Sequence, residues 1–360
     1  MEMYPIRTGS EFLKRSYQVY GLCLKGTKVA KDMRANGIET FEVQSKQSLL
    51  LTQLVPLNRW LKEREVCIVH SHKSGDILIS ALLYSLSKRY SFFTEHMGVT
   101  KPKKDLFHRW VYSHLNKVFS ISNETYRRNL KALPVDSSKI TQLWLGTDIP
   151  SLYKPSKNTV SNIKSELGIP VDSIVIGNIG RICAGKGQSE LLEAFAKISS
   201  NIHNCHLILV GGIDVSEGSE NTFVASIKAR IQELKLENRV HLTGFRKDTD
   251  RMLNIIDIVC LPNHNEAFGL TAIEAMAARR AIVAANTGSL PEVLGKTALL
   301  CDPFDPNSIS QEIEKYLSSS ELKERNSTLA YQRAVELFSM NTHITNLERY
   351  YAEAYDHKKF

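Results

Sequence analysis

Short runs of β-branched and aromatic residues alternate along this chain with stretches whose apolar positions recur every three or four residues. In the first half, residues 19–24 (VYGLCL), 67–70 (CIVH), 90–95 (YSFFTE), 117–122 (KVFSIS) and 140–146 (ITQLWLG) read as strands. Residues 74–90 and 104–116 read as helices between them. The second half repeats the rhythm. Predicted strands are 173–180, 205–212, 239–244, 258–263, 281–286 and 298–302, and predicted helices are 188–199, 225–236, 270–280 and 307–318. Such alternation predicts an α/β fold with parallel sheets and helices on both faces. There are two sets, joined by the polar, Pro155-bearing stretch YKPSKNTVSN (153–162). A last helical stretch, 343–360, has no strand after it and is expected to return to the first domain. The expected division is 1–152, 153–340 and a C-terminal helix over 341–360.

Composition narrows the classes. With 360 residues, 42% hydrophobic and 23% charged, the chain is an ordinary globular one with room for two cores. It has no run of about 18 apolar residues and hence no expected transmembrane helix. The N-terminus, MEMYPIRTGSEFLKR, lacks the apolar core of a secretory signal. Six cysteines stand without a C-x-x-C pair, as reduced thiols in a cytoplasmic protein do. Charge is uneven. Residues 1–150 hold 23 Lys and Arg against 13 Asp and Glu, a net +10; the rest hold 23 against 25, a net −2, together the formal +8. A basic half implies an anionic partner: a phosphorylated acceptor, an anionic lipid surface or nucleic acid. A merely solvated basic face is the alternative.

In open parallel sheets, ligands sit beyond the carboxyl ends of the strands. Two loops there carry chemistry. Gly180-Arg-Ile-Cys-Ala-Gly185-Lys186-Gly187 is one residue short of the phosphate-binding pattern G-x-x-x-x-G-K-[ST]. Gly187 stands where a hydroxyl would hold magnesium, so an ATPase loop is disfavoured. Glycines nonetheless allow close backbone approach, a helix start favours an anion, and Arg181 and Lys186 add two cations. The second loop is NEAFGLTAIEAMAARR (265–280). It sets Glu266 before a helix, Glu274 about a turn inside it, and the amides of Phe268, Gly269 and Leu270 where a phosphate could meet them. Both acids could instead simply oppose the helix dipole. His70 and His72 could hint at a metal, but a polar strand end is the simpler reading.

Glu266-Ala-Phe-Gly-Leu-Thr-Ala-Ile-Glu274 resembles the E-x-[FY]-G-x-x-x-x-E signature of retaining nucleotide-sugar glycosyltransferases, the glycogen-synthase-like family 4 with the GT-B fold. Gly180-Arg181 with Lys186-Gly187 resembles their G-R-x-x-x-x-K-G loop, and Thr287-Gly-Ser-Leu-Pro-Glu292 their T-G-G-x-P-E turn. Gly244-Phe245-Arg246, Thr94-Glu95-His96, Ser122-Asn123 and Leu145-Gly-Thr-Asp148 resemble further segments. The likeness spans about residues 15–355. It implies two Rossmann-like domains facing across a cleft. It also implies retaining, hexosyltransferase-type transfer from a nucleotide-diphosphate sugar, UDP-sugars favoured. Arg181 and Lys186 would neutralise the diphosphate, Glu266 would contact sugar hydroxyls, Glu274 the ribose, and His96 the sugar and phosphate. Gly180, Phe245, Ala267, Phe268, Gly269 and Leu270 would complete the donor contacts. No D-x-D motif is present in a suitable loop, so neither metal nor other cofactor is expected.

The family normally opens with a strand, a Gly-Gly loop and a helix ending in L-x-x-R-G-H-x-V. Leu13-Lys-Arg-Ser-Tyr-Gln-Val19 resembles that helix end, which leaves MEMYPI as a stunted strand and Thr8-Gly9-Ser10-Glu11 as a relic of the glycine loop. Either the chain is shortened there or this edge is rebuilt. Lys101-Pro-Lys103-Lys104 precedes Leu106, Phe107, Trp110, Val111 and His114, a helical face that is either core or an anionic-membrane contact. The expected acceptor is an anionic glycan or glycolipid such as a lipopolysaccharide core. Peripheral contact with the inner face of the cytoplasmic membrane is expected, and no nucleic acid. The other readings are a non-catalytic relative binding a nucleotide sugar, and an epimerase or phosphorylase on the same architecture.

Overall fold

A computed structural model, describing residues 3–99, 101–149 and 156–356, opens on a helix where the sequence suggested a stunted strand and a relic glycine loop. This helix, α1 (Met3–Lys14), buries Tyr4, Thr8 and Phe12, four apart, together with Ile6 and Gly9. Gly9 fits because a Cβ there would lie 2.9 Å from the Ile38 side chain. The Thr-Gly-Ser run is thus a close-packing site inside a helix and not a loop.

The chain divides into two units, Met1–Gly146 with Met340–Phe360, and Thr147–Ser339. The division precedes the linker expected at 153–162. Residues 153–155 of that linker lie outside the described residues, and 157–162 are already helical.

In the first unit, β1 (Tyr20–Leu24) is followed by α2 (Lys28–Ala35) and β2 (Glu39–Val43). A short helix α3 (Lys46–Ser48) and a π-turn at Leu49–Gln53 then lead into α4 (Leu54–Glu63). Next come β3 (Ile68–Ser71), α5 (Ile77–Leu86), β4 (Tyr90–Glu95), α6 (Leu106–Ser113), β5 (Lys117–Ser120), α7 (Asn123–Ala132) and β6 (Ile140–Gln142). The strands form two parallel sheets, β1-β2 and β3-β4-β5-β6. Successive residues point to opposite faces of a strand. Phe92 of β4 accordingly joins Phe12, Phe119 and the chain's last helix through Met340, Ile344 and Leu347. Its neighbour Phe93 joins Ile77, Val111, Tyr112 and Leu115 on the other side. The last helix, Met340–Asp356, is therefore part of this unit's core.

The second unit runs α8 (Lys157–Glu166), β7 (Ile174–Ile179), α9 (Gln188–Asn201), β8 (Cys205–Val210), α10 (Asn221–Glu233) and β9 (Val240–Leu242). It continues with α11 (Thr249–Ile255), β10 (Ile258–Leu261), α12 (Leu270–Ala277), β11 (Ala281–Ala285), α13 (Leu290–Leu294), β12 (Leu299–Cys301), α14 (Pro306–Ser318) and α15 (Ser320–Phe338). α16 is the last helix already described. The strands make one parallel six-stranded sheet in the order β12-β11-β10-β7-β8-β9. Their apolar runs are buried on both faces, as all-parallel sheets require. The order reverses between β7 and β10, which pair directly. Such a reversal marks the usual ligand position in open parallel sheets, beyond the carboxyl ends of the two strands.

Candidate active site

The loops after β7 and β10 are brought together by this neighbour relation. In the first loop, Gly187 caps α9 in a left-handed conformation (φ 74°). A Cβ on it would lie 2.0 Å from the Pro262 carbonyl oxygen, so only glycine lets the loops approach. The His264 amide donates to the Gly185 carbonyl at 3.0 Å and ties them together. Below the loops, Asn178 of β7 donates to the Cys260 carbonyl of β10 at 2.8 Å. Gln188, fully buried at the start of α9, donates to the Arg181 carbonyl at 2.9 Å.

Lys186 and Glu266 meet across the seam. Their Nζ and Oε2 atoms lie 2.8 Å apart, with about a quarter of each side chain exposed. Asn263 donates to the same carboxylate oxygen at 2.7 Å. Burial pushes the Glu266 carboxyl up, but the Lys186 hydrogen bond and charge, Asn263 and the Ala267 amide together hold it below its ordinary value. It is therefore an ionised acceptor, suited to hydroxyl groups, beside a cation suited to phosphate. Arg181 is exposed at the start of the loop and forms no ion pair among the described residues. Gly180 has open space where a side chain would stand, leaving its backbone approachable.

The turn at Thr287–Ser289 fixes the backbone that carries Glu266. The amide and hydroxyl of Ser289 donate to the Glu266 carbonyl at 2.9 and 3.0 Å. Thr287 donates to the carbonyls of His264 and Asn263. Gly288 adopts φ 62°, and a Cβ there would meet the Glu266 amide nitrogen and carbonyl oxygen at 2.7 and 2.6 Å. The sequence marked this turn only by resemblance. Its physical task is to clamp the acid-bearing loop.

Other expected residues fall unevenly. Glu274 is half-buried, on the second turn of α12, whose left-handed cap is Gly269 (φ 91°). Leu270 is exposed and Ala267 half-buried. The Phe268 ring is buried against Phe338, centroids 6.2 Å apart, which leaves its backbone amide, the group expected to meet a phosphate, as its part in the site. Phe245, 55% exposed beyond β9, offers a free ring face. Asn263 was not singled out from the sequence, although its place three residues before Glu266 was a usable signal. Nor was the pair formed by His264 Nε2 and Glu190, 3.0 Å apart.

His96 belongs to the first unit, just beyond β4, and is closed off. It is 6% exposed, its Nε2 has no hydrogen-bond partner among the described residues, and the Tyr4 ring stands edge-on 5.1 Å away. Burial above all pushes its imidazole down to about 4. His72 and His343 pack on the same tyrosine. His70 and His72, both half-buried, stack on each other, and His70 bonds Tyr351 and Thr94, so this polar strand end is held as part of a histidine cluster. Among the described residues, no three His, Cys, Asp or Glu side chains converge as metal ligands.

Comparison with known proteins gives this geometry a family. Residues 159–333 match the family described as "Glycosyl transferases group 1". The D-inositol 3-phosphate glycosyltransferase of Corynebacterium glutamicum (strain R) is 28% identical over 226 residues, 61% of this chain and 53% of that protein. The chain thus spans about half the length of the curated relatives it matches. A glycosyltransferase structure from Rickettsia africae superposes with a TM-score of 0.87 at 21% identity, covering 97% of this chain and 93% of that one. An Anabaena protein solved with UDP-glucose superposes at 0.78 and 20% identity, covering 98% and 95%. These likenesses establish the fold as GT-B.

Proposed function

Residues 159–333 match the group 1 glycosyl transferases, and from that premise we propose that the chain transfers a sugar from a UDP-sugar to an anionic acceptor with retention of configuration. The observation that carries the reading is the Lys186–Glu266 pair that joins the loops after β7 and β10, with Arg181 exposed at the start of the first loop and in no ion pair among the described residues. Arg181 and Lys186 neutralise the diphosphate as its bond to the anomeric carbon breaks, doing without a metal what a magnesium ion does elsewhere. Glu266 holds sugar hydroxyls, Glu274 the ribose, and Phe245 stacks near the base. The acceptor oxygen forms the new bond on the face from which the diphosphate leaves, and its proton goes to a phosphate oxygen of the leaving group.

A phosphate-bearing glycan or glycolipid is the proposed acceptor. The first 150 residues carry the excess of cations, and a relative's name specifies a phosphorylated acceptor. The UDP preference is supported by the Anabaena neighbour, solved with UDP-glucose. The test is a thermal-shift panel of UDP- and GDP-sugars with and without magnesium. Stabilisation by a UDP-sugar in the presence of a chelator is expected. Stabilisation by ATP and magnesium alone would overturn the reading.

One observation favours a second reading, a nucleotide-sugar binder without transfer: His96 lies closed behind Tyr4. Donor binding with neither transfer nor donor hydrolysis would select it.

A further inference from the structure

Helix α6 turns its apolar side outward. Leu106 is 82% exposed, Phe107 54% and Trp110 44%, while Val111 and Tyr112 are core. At 100° per residue, Leu106, Phe107, Trp110 and Arg109 share the solvent arc, and the rings of Phe107 and Trp110 lie 6.2 Å apart. Met97, 61% exposed, lies in the loop that leads to this helix. Single exposed apolar residues are ordinary, but a leucine, a phenylalanine and a tryptophan on one short helix form a patch that needs an occupant.

The surroundings say which. Lys101, Lys104 and Arg109 are exposed around the patch. The Lys103 amide donates to the Ala132 carbonyl at 2.8 Å, which sets the end of α7, with exposed Leu130 and Lys131, beside the same loop. The local acid, Asp105, is engaged as the N-cap of α6, accepting from the His108 amide at 3.0 Å and lying 2.6 Å from its ring. Protruding aromatic and aliphatic tips ringed by long cationic side chains match a bilayer surface: the rings enter the boundary of headgroups and acyl chains, and the cations reach lipid phosphates.

We propose that α6 and its leading loop form a reversible contact with an anionic bilayer, in which Leu106, Phe107 and Trp110 insert and Lys101, Lys104 and Arg109 meet the phosphates. This surface belongs to the first unit and the Lys186–Glu266 site to the second, so its failure and the failure of the transfer reading are separately visible. The experiment is flotation of the full chain with vesicles of phosphatidylcholine alone, or of phosphatidylcholine and phosphatidylglycerol in equal parts, at low and high salt. Binding to the anionic vesicles only, weakened by salt, is expected. Each basic residue near such a surface contributes roughly fivefold, so Lys101→Glu with Lys104→Glu should lower partitioning at least tenfold, as should Phe107→Ser with Trp110→Ser. Unchanged melting and donor-induced stabilisation in these variants show that the fold is intact. The proposal is overturned if the wild type does not float, if it floats equally with neutral vesicles, or if both variants bind as before. It is also overturned if the chain is a dimer that Phe107→Ser with Trp110→Ser dissolves without any vesicle binding; the patch is then an interface between copies.

Discussion

Gly187 shows why the loop after β7 stops one residue short of a magnesium-holding phosphate loop. The missing hydroxyl is excluded by space, since the Pro262 carbonyl occupies the place of any Cβ and the backbone is left-handed. Gly187→Ser writes the full phosphate-loop pattern into the chain. It should confer no ATPase activity, should abolish donor-induced stabilisation, and should cost about 1–3 kcal/mol measured by denaturant unfolding, the range for a forced backbone conformation. The neighbouring acid makes the complementary prediction. Glu266→Gln keeps the shape of the loop and removes the charge that Lys186 and Asn263 hold in place. Transfer should fall by about a hundredfold or more, an effect of about 3 kcal/mol on the barrier. The pair is partly solvated, so melting should move by only a few degrees. Wild-type transfer rates in this variant would remove Glu266 from the chemistry. These residues were legible in the sequence because glycines and charges at fixed spacings are local signals. Asn263 and the clamp by Ser289 were not, because their roles depend on contacts between loops far apart in the chain.

At the scale of elements, the same distinction explains what was missed. Eleven strand regions were read from their apolar runs, but β2 was not, since ETFEV alternates charge with bulk and stands at the edge of a two-stranded sheet. α15, nineteen residues long, was not read either; it buries mainly small or polar residues such as Asn326, Ser327, Ala330 and Ala334. α1 was misread because Thr8 and Gly9 are turn formers by habit and packing residues by position. Its tertiary anchor is testable. The Trp144 carbonyl can only accept, so His343 Nδ1 carries its proton and Nε2 takes the hydroxyl proton of Tyr4, at 2.5 Å. His343 and His96 are pushed by burial to about 4, and His70 to about 3. Above the ordinary histidine value of about 6.5 neither the folded nor the unfolded chain is charged there. Below it the unfolded chain takes up protons that the folded one refuses, so stability falls as pH drops toward 4. Amide protection over residues 3–14 should therefore be lost between about pH 6.5 and 4. His343→Gln should flatten that limb by up to about 3 kcal/mol, the equivalent of one such displaced group. An acid limb with equal slope in both proteins would show that His343 is not a titrating element.

At the scale of the molecule, the two units differ in how the chain closes them. The second is a single stretch, Thr147–Ser339, with its own six-stranded sheet and a core drawn from residues between Ile176 and Tyr316. All of the Lys186–Glu266 site and its clamp lie inside it. The first unit is interrupted: it needs Met340, Ile344 and Leu347 from the far end of the chain to cover Phe92 and Phe119. A fragment of residues 147–339 should therefore fold alone and keep donor-induced stabilisation, because Arg181, Lys186, Phe245, Glu266 and Glu274 are all local to it. A chain ending at residue 339 should behave oppositely. It loses the helix over its Phe92 face and uncovers several large apolar side chains, each worth about 1.5–3 kcal/mol when buried. Unfolding the first unit should follow, with the second still melting cooperatively and still answering a UDP-sugar. Calorimetry of the two truncations, with and without donor, distinguishes these outcomes. If the 147–339 fragment folds but ignores every nucleotide sugar that stabilises the full chain, the donor site requires residues of the first unit. His96, buried behind Tyr4 in that unit, is then the first residue to re-examine.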